Sequence, residues 1–410
     1  MIVPGQLSCR ATAWKVYRKP LHMQNKKNTQ EVNMDPYDRY ELLVNGTEVK
    51  TPIVLASMAG VVDAAYALAR KEDVGMVCIG GYSIEEAPQE ASRRLVETGR
   101  HEFLTDDPIK EIRTQAELLA DSGLVVAVNM RGSTPESFAK VARALGPGLV
   151  YEIDAHCRQE PMIAALCGEA LLKNTEQLAD TVRALKAENV TVSVKIRAGV
   201  AADDRELARI LWKAGADILH IDLMDFGHAK LRQIRNACPL VLIANNSVNT
   251  FPVVKEMLQH GADMVSLARH ADPATLADLN RQMAKYADET GWYNAPKQLC
   301  RGGDLRSLAF CCMPVKKCPL LPALEHLDIS RNEFMSMKLD GVKNTPLATG
   351  ENTCFGSLAW CCKSSTPCMF RNMALKEAGL SLTDYMRYKR RLSEKLMKRV
   401  YEGDAGYATE

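Results

Sequence analysis

The chain has 410 residues, 47% hydrophobic and 25% charged, with a formal net charge of +2. That length allows two or three domains and at least one large core, and the near-neutral balance excludes a whole-molecule electrostatic case for nucleic acid or membrane. No apolar run approaches the ~20 residues of a spanning helix. The start, Met1-Ile-Val-Pro-Gly5, has no charged leader into an apolar stretch, so no membrane partner is expected and the chain reads as cytoplasmic.

Residues 1–50 form an N-terminal extension, polar and without periodicity up to residue 33, with a short hairpin at Asn45-Gly46. Eight short apolar runs follow: Ile53–Ala56, Met76–Ile79, Leu124–Asn129, Leu149–Asp154, Thr191–Ile196, Ile218–Leu223, Leu240–Asn245 and Met264–Ala268. Amphipathic helical stretches alternate with them, among them Pro108–Ser122, Pro135–Leu145, Thr175–Glu188, Asp204–Ala214 and Phe251–His260, and Pro273–Thr290 reads as the last. Several end just before a glycine, as at Gly215. Eight such units over residues 51–290 predict an α/β fold, a (β/α)8 TIM barrel. Residues 291–402 then form a small cysteine-rich metallocluster domain ending in a helix over Thr383–Tyr401, opened by a capping box at Ser381 and Asp384, and 403–410 are a tail.

A (β/α)8 enzyme builds its site at the C-terminal ends of the strands. Those ends carry Ser57-Met58-Ala59, Asn129, Asp154-Ala-His156-Cys157, Lys195-Ile-Arg197, Asp222, Asn245-Asn246 and Ala268-Arg269. Lysine ending an apolar strand at the mouth reads as functional. Cys157 is either a small buried hydrophobe or a thiol tuned by His156 and Arg158, and Met58 and Met130 also read as packing. Asn245-Asn246 either shapes a turn or holds a phosphate.

Thirteen cysteines in a chain without secretory features point to metal or redox chemistry. Eight of them, Cys300, Cys311, Cys312, Cys318, Cys354, Cys361, Cys362 and Cys368, fall within 69 residues. Ser307-Leu-Ala-Phe-Cys311-Cys312-x5-Cys318 recurs as Ser357-Leu-Ala-Trp-Cys361-Cys362-x5-Cys368, an internal duplication with one further cysteine ahead of each copy. Four thiolates per copy fit a tetrahedral zinc or an iron–sulfur cluster. The vicinal pair favours a cluster, because a cubane offers each thiolate its own iron. Two [4Fe-4S] clusters are therefore expected, with zinc and structural thiols as alternatives. From Pro296 to Glu402 there are 18 Lys/Arg against 10 Asp/Glu. The terminal stripe of Arg387, Lys389, Arg390, Arg391, Lys395, Lys398 and Arg399 is either a solvated helix face or a surface for tRNA or an anionic protein.

Leu55-Ala-Ser-Met-Ala-Gly-Val61, Val126-Ala-Val-Asn-Met-Arg-Gly132, Val194-Lys-Ile-Arg-Ala-Gly199 and the Asn245/Arg269 pair resemble the tRNA-dihydrouridine synthases, FMN-dependent barrels. The resemblance implies FMN as cofactor, with Lys195 against the flavin ring and Asn129 as a flavin-binding amide. It also implies a phosphate held after the last two barrel strands and Cys157 as the acid that protonates the reduced pyrimidine. Asp154, Asp222, Asn246 and Ala268 depart from the family pattern, and the two carboxylates would oppose an anionic reduced flavin unless paired or protonated. The duplicated cysteine block resembles the domain called methanogenesis marker protein 9, which implies an anaerobic archaeal cytoplasm and methane metabolism. Three functions follow. The first is a flavin and iron–sulfur oxidoreductase acting on an unidentified substrate, served by an electron-donor protein. The second is a non-catalytic maturation or assembly factor for a methanogenesis enzyme. The third is a tRNA-modifying reductase.

Overall fold

The computed structural model describes residues 39–290, 293, 309–310, 324, 328–361 and 367–406. Strands β1 (Leu42–Val44) and β2 (Thr47–Val49) pair antiparallel around Asn45 and Gly46. Both turn residues have positive φ, 51° and 76°, as a two-residue hairpin with right-handed strand twist requires.

Eight parallel strands follow: β3 (Ile53–Leu55), β4 (Met76–Ser83), β5 (Val125–Arg131), β6 (Val150–Ala155), β7 (Thr191–Arg197), β8 (Ile218–Asp222), β9 (Val241–Asn245) and β10 (Met264–Leu267). They close in sequence order, with β10 pairing back onto β3, so the architecture is the (β/α)8 barrel. Buried on both faces, these strands read as continuous apolar runs rather than alternating ones. The runs locate every strand. Only β4 differs markedly in length, because its register shifts after Gly80 and the strand continues, pairing Tyr82 with Met130 and Ser83 with Arg131. Gly81 permits that approach: a Cβ there would lie 2.7 Å from Asn129 Oδ1 and 3.0 Å from Arg131 Nε.

The helices start and stop where local chemistry directs. Pro108–Leu118 opens on a proline in its first turn and on Asp107, whose carboxylate accepts from the Lys110 amide at 3.0 Å. Asp204–Ala214 is capped by Asp203 and closed by Gly215 in the left-handed conformation. By compactness the chain forms two units. One comprises the chain to Lys230 with Leu240–Val254 and Ala262–Asn280; the other comprises Leu231–Pro239, Lys255–Gly261 and the chain from Arg281.

In the second unit the described helices of the C-terminal region are Arg331–Gly341, Met369–Glu377 and Leu382–Gly406. The last is longer than expected and begins in the expected box: Ser381 Oγ accepts from the Asp384 amide at 3.0 Å, and Asp384 Oδ2 accepts from the Ser381 amide at 3.3 Å. Its basic residues are not one solvated stripe: Lys395 and Arg399 are exposed, but others turn inward. Lys389 is fully buried, Arg390 is 7% exposed, and Tyr385, Met386, Leu392, Leu396 and Met397 are buried with them. The charge pattern misleads here because the helix packs on more than one side, which a count of cations along the chain does not register.

Candidate active site at the barrel mouth

Residues two apart on a strand share a face, so Glu152 and Asp154, Lys195 and Arg197, and His220 and Asp222 enter the barrel as pairs. The lower members build a buried polar floor. Glu152 and His220 are fully buried, and Asn129 is 1% exposed. The Glu152 carboxylate accepts from Asn129 Nδ2 at 2.8 Å and from Ser193 Oγ at 3.0 Å, and it lies 2.8 Å from His220 Nδ1. Burial by itself raises this carboxyl, but His220, Lys195 and the Asn129 amide together bring it down to about 2. Burial lowers the His220 imidazole, which is therefore neutral at pH 7. The network assigns its proton to Nδ1, facing Glu152, and leaves Nε2 to accept from the Ser266 hydroxyl at 2.8 Å. Ser266 in turn accepts from Asn245 Nδ2 at 2.6 Å. A continuous hydrogen-bonded chain thus crosses the barrel from β9 to β5. It ends at Asn129 Oδ1, a buried acceptor with no hydrogen-bond partner among the described residues.

The upper members form a charged rim. Arg131 Nη1 donates to Glu102 Oε2 at 2.5 Å and Nε to Asp154 Oδ2 at 3.3 Å, with all three side chains at most 7% exposed. Burial opposes the charge on Arg131, but the two carboxylates hold it firmly ionised. Asp154 Oδ1 accepts from the backbone amides of His156 and Cys157, each at 3.0 Å. Against the burial that would raise it, Arg131 then His156 keep Asp154 below the usual carboxylate range. Across the rim, Asp222 Oδ2 lies 2.7 Å from His156 Nε2 and 3.2 Å from Arg197 Nη1, and Arg197 Nε lies 2.6 Å from Glu169. Burial again works upward, yet His156 and the Met224 amide bring Asp222 down to about 2. Both departing carboxylates are therefore ionised and each is matched by an arginine.

Lys195 is 5% exposed and donates to Ser57 Oγ at 3.0 Å, while Ser57, Met58 and Ala59 are half-buried on the turn after β3. Asn246, at φ 93°, donates from Nδ2 to Met224 O at 2.8 Å and so braces a turn. Ala268 is half-buried, and Arg269 is exposed, outside both networks. The Cys157 side chain packs in an apolar cluster with Ala91, Leu95 and Met162. Burial raises its pKa, so it is a thiol and not a tuned thiolate; its neighbours His156 and Arg158 do not lower it as their positions in the sequence had implied. Glu152, Arg131, Glu102 and Glu169 were missing from the residues read as a site. Period 2 could have found Glu152 and Arg131 from Asp154 and Asn129; Glu102 and Glu169 lie outside the strands and carry no local signal.

Of the eight clustered cysteines, Cys354, Cys361 and Cys368 are described: Cys354 is exposed, Cys368 half-buried and Cys361 buried. Cys300, Cys311, Cys312, Cys318 and Cys362 lie outside the described residues. The buried charged side chains described after residue 300 are all cationic: Lys338, Arg371, Lys389 and Arg390.

A parallel eight-stranded barrel with a lysine, amides and arginine-matched carboxylates at its C-terminal rim defines the class, and residues 102–301 match the family described as dihydrouridine synthase (Dus). The chain belongs to the same family as the uncharacterized protein MJ0115 of Methanocaldococcus jannaschii, to which it is 50% identical over 108 residues, 26% of this chain and 70% of that protein. The uncharacterized protein MJ0144 of the same organism is 28% identical over 229 residues, covering 53% and 88% of the two chains. A probable tRNA-dihydrouridine synthase of Rickettsia conorii is 23% identical over 246 residues, covering 56% and 68%. Among solved structures, DHODH from Eimeria tenella in complex with ferulenol matches with a TM-score of 0.45 at 12% identity, over 60% of this chain and 84% of that one. A FabK mutant from Thermotoga maritima matches with a TM-score of 0.37 at 18% identity, over 55% of this chain and 63% of that one. No helix of the described residues is long and apolar enough to cross a membrane.

Proposed function

We propose that the chain is a flavin-dependent reductase of the dihydrouridine-synthase type, with FMN in the barrel mouth and two [4Fe-4S] clusters on the duplicated cysteines. The observation that carries the flavin reading is the Asn129 amide. Glu152 can only accept, so Nδ2 must face it and the acceptor Oδ1 is left for a ligand N–H such as that of a flavin imide. FMN bound there supplies hydride chemistry. Lys195, fixed by Ser57, would hold the ring through its remaining N–H donors. Arg131 and Arg197 offset Asp154 and Asp222 in part, since each guanidinium is shared with a second carboxylate, Glu102 or Glu169. Arg269, exposed after β10, would hold the phosphate where such barrels favour it. Cys157, held as a thiol by burial, is the proton donor of this reading.

The cluster reading is supported by the donor set. Thiolates bound to metal form an anionic group, and the buried charged side chains described after residue 300 are cations. Methane metabolism and an anaerobic archaeal cytoplasm rest on the likeness of the cysteine repeat to methanogenesis marker protein 9, and an electron-donor protein as partner rests on the clusters passing electrons to the flavin. A tRNA substrate is the second reading, favoured by the Rickettsia relative; the inward turn of Lys389 and Arg390 removes part of the surface that the basic helix offered it.

The test is anaerobic purification of the full chain followed by absorption spectroscopy and assay of FMN, iron, sulfide, zinc and co-purified RNA. One FMN with about eight iron and eight sulfide per chain is expected. Protein that neither retains nor binds added FMN overturns the flavin reading and leaves the assembly-factor function. Zinc in place of iron overturns electron transfer through the cysteine unit.

A further inference from the structure

The turn after β6 sets an imidazole on the rim of the mouth. Asp154 Oδ1 holds the amides of His156 and Cys157 at 3.0 Å each. Gly168, at φ 61°, lets the returning chain close on this turn, where the Glu169 amide donates to the Cys157 carbonyl at 2.9 Å. A Cβ on Gly168 would run into that carbonyl oxygen. Cys157 packs in its apolar cluster, whereas His156 Nε2 lies 2.7 Å from Asp222 Oδ2 and 3.0 Å from Arg197 Nη2. The shorter contact assigns the Nε2 hydrogen to Asp222. Nδ1 has no hydrogen-bond partner among the described residues. The His156 side chain is 25% exposed, against at most 15% for Arg131, Glu102, Asp154, Arg197, Asp222 and Glu169. Of these rim groups it is the one that a ligand in the mouth can reach.

The charges around the ring are uneven. Arg197 is shared by two carboxylates, Asp222 and Glu169, so one negative charge is left over, and hydrogen on both nitrogens of His156 balances it. Two further titratable groups act on the ring: Asp154, two residues before it, and His220, two residues before Asp222. A carboxylate on one ring nitrogen fixes the imidazole and leaves the other nitrogen for the reactants. We propose that His156 is a catalytic residue of the mouth, which holds through Nδ1–H the substrate oxygen that gains negative charge, and that the substrate is an unsaturated carbonyl compound. This rests on the reductase function proposed above. Reduction of a carbon–carbon double bond conjugated to a carbonyl places hydride on the far carbon and moves the electron pair of the double bond toward the oxygen. It ends with a proton on the carbon next to the carbonyl. Reduced flavin is the reductant and Cys157 gives the proton to carbon, while His156 stabilises the oxyanion between the two events. Asp222 acts through His156, as a positioning residue.

The experiment titrates 4-nitrophenolate, an aromatic oxyanion whose absorption reports its ionisation, into the oxidised, FMN-loaded full chain. Wild type is compared with His156→Ala, His156→Gln and Asp222→Asn, and the FMN content of each is measured alongside. Wild type is expected to bind the probe as the anion. His156→Ala is expected to keep its FMN and to weaken probe binding about tenfold to a hundredfold, the range for a hydrogen bond to a charged group. His156→Gln returns an N–H donor without charge and is expected to recover part of that loss. Asp222→Asn keeps the shape of the partner and removes its charge, and is expected to weaken the probe less than His156→Ala does. Wild-type affinity in His156→Ala overturns the proposal and leaves the flavin reading standing. If that variant does not fold, wild-type affinity in both His156→Gln and Asp222→Asn overturns it equally. So does FMN-loaded wild type that leaves the probe unbound. Full chain that takes up no FMN overturns the reductase reading, and this proposal with it.

Discussion

The barrel mouth and the cysteine-rich unit both bury charge, but they compensate it in different ways. In the barrel each arginine meets carboxylates directly: Arg131 lies between Glu102 and Asp154, and Arg197 between Glu169 and Asp222. In the cysteine-rich unit Lys389 meets carbonyls and aromatic faces, and Lys338 lies over Trp360. The difference teaches where each region commits its cations. The rim sets two arginines among four carboxylates, so its cations are committed to its own anions. In the cysteine-rich unit the partners are mixed, backbone carbonyls and ring faces at Lys389 and Lys338 but a carboxylate, Glu394 at 3.0 Å, at Arg390.

The largest effect is expected at the rim. Arg131→Met leaves Glu102 and Asp154 buried beside each other without their cation and should cost about 3–5 kcal/mol in urea or thermal unfolding. Lys338→Met removes a cation from a ring face, a contact worth about 2 kcal/mol when desolvated, and should cost less than Arg131→Met. Equal losses at the two positions would erase the distinction between the regions.

The next effect is on pH. The Glu152 carboxyl falls from an ordinary 4.5 to about 2 in the fold, so its contribution is complete above about pH 4.5 and is lost as pH drops toward 2. His220 is also depressed, so its share is complete above its ordinary 6.5 and declines as pH falls below that value. Both push in the same direction. Wild type should lose stability progressively on acidification, with roughly 3 kcal/mol traceable to Glu152, and Glu152→Gln should flatten that slope in pH-dependent denaturation curves.

Lys195→Ala tests the mouth as a ligand site. Loss of one charged donor, roughly 1.5–3 kcal/mol, should weaken FMN binding about tenfold to a hundredfold in a fluorescence titration. Cys157→Ala should have the smallest structural effect, about 1 kcal/mol, because only a thiol leaves its apolar cluster. If Cys157 is the acid, this variant retains FMN but loses turnover. Unaltered turnover would return Cys157 to the role of a small core residue.

What the sequence by itself determined is the barrel and the placement of its mouth. Eight apolar runs at regular spacing leave few other ways to bury both faces of the strands, and hydrogen-bonded closure follows from their number. Lys195, Asn129, Asp154 and Asp222 were legible because strand ends are marked by where apolar runs stop. The duplication at Cys311-Cys312 and Cys361-Cys362 was legible as a spacing. Tertiary structure alone decided which charges meet. Glu102 and Glu169 come from outside the strands to reach the arginines, and no local pattern encodes that meeting. The same holds for Lys389. On the helix it looks like one cation in a stripe, and only packing, which brings residues 80 and 30 positions away onto its ammonium, turns it inward to join the two copies.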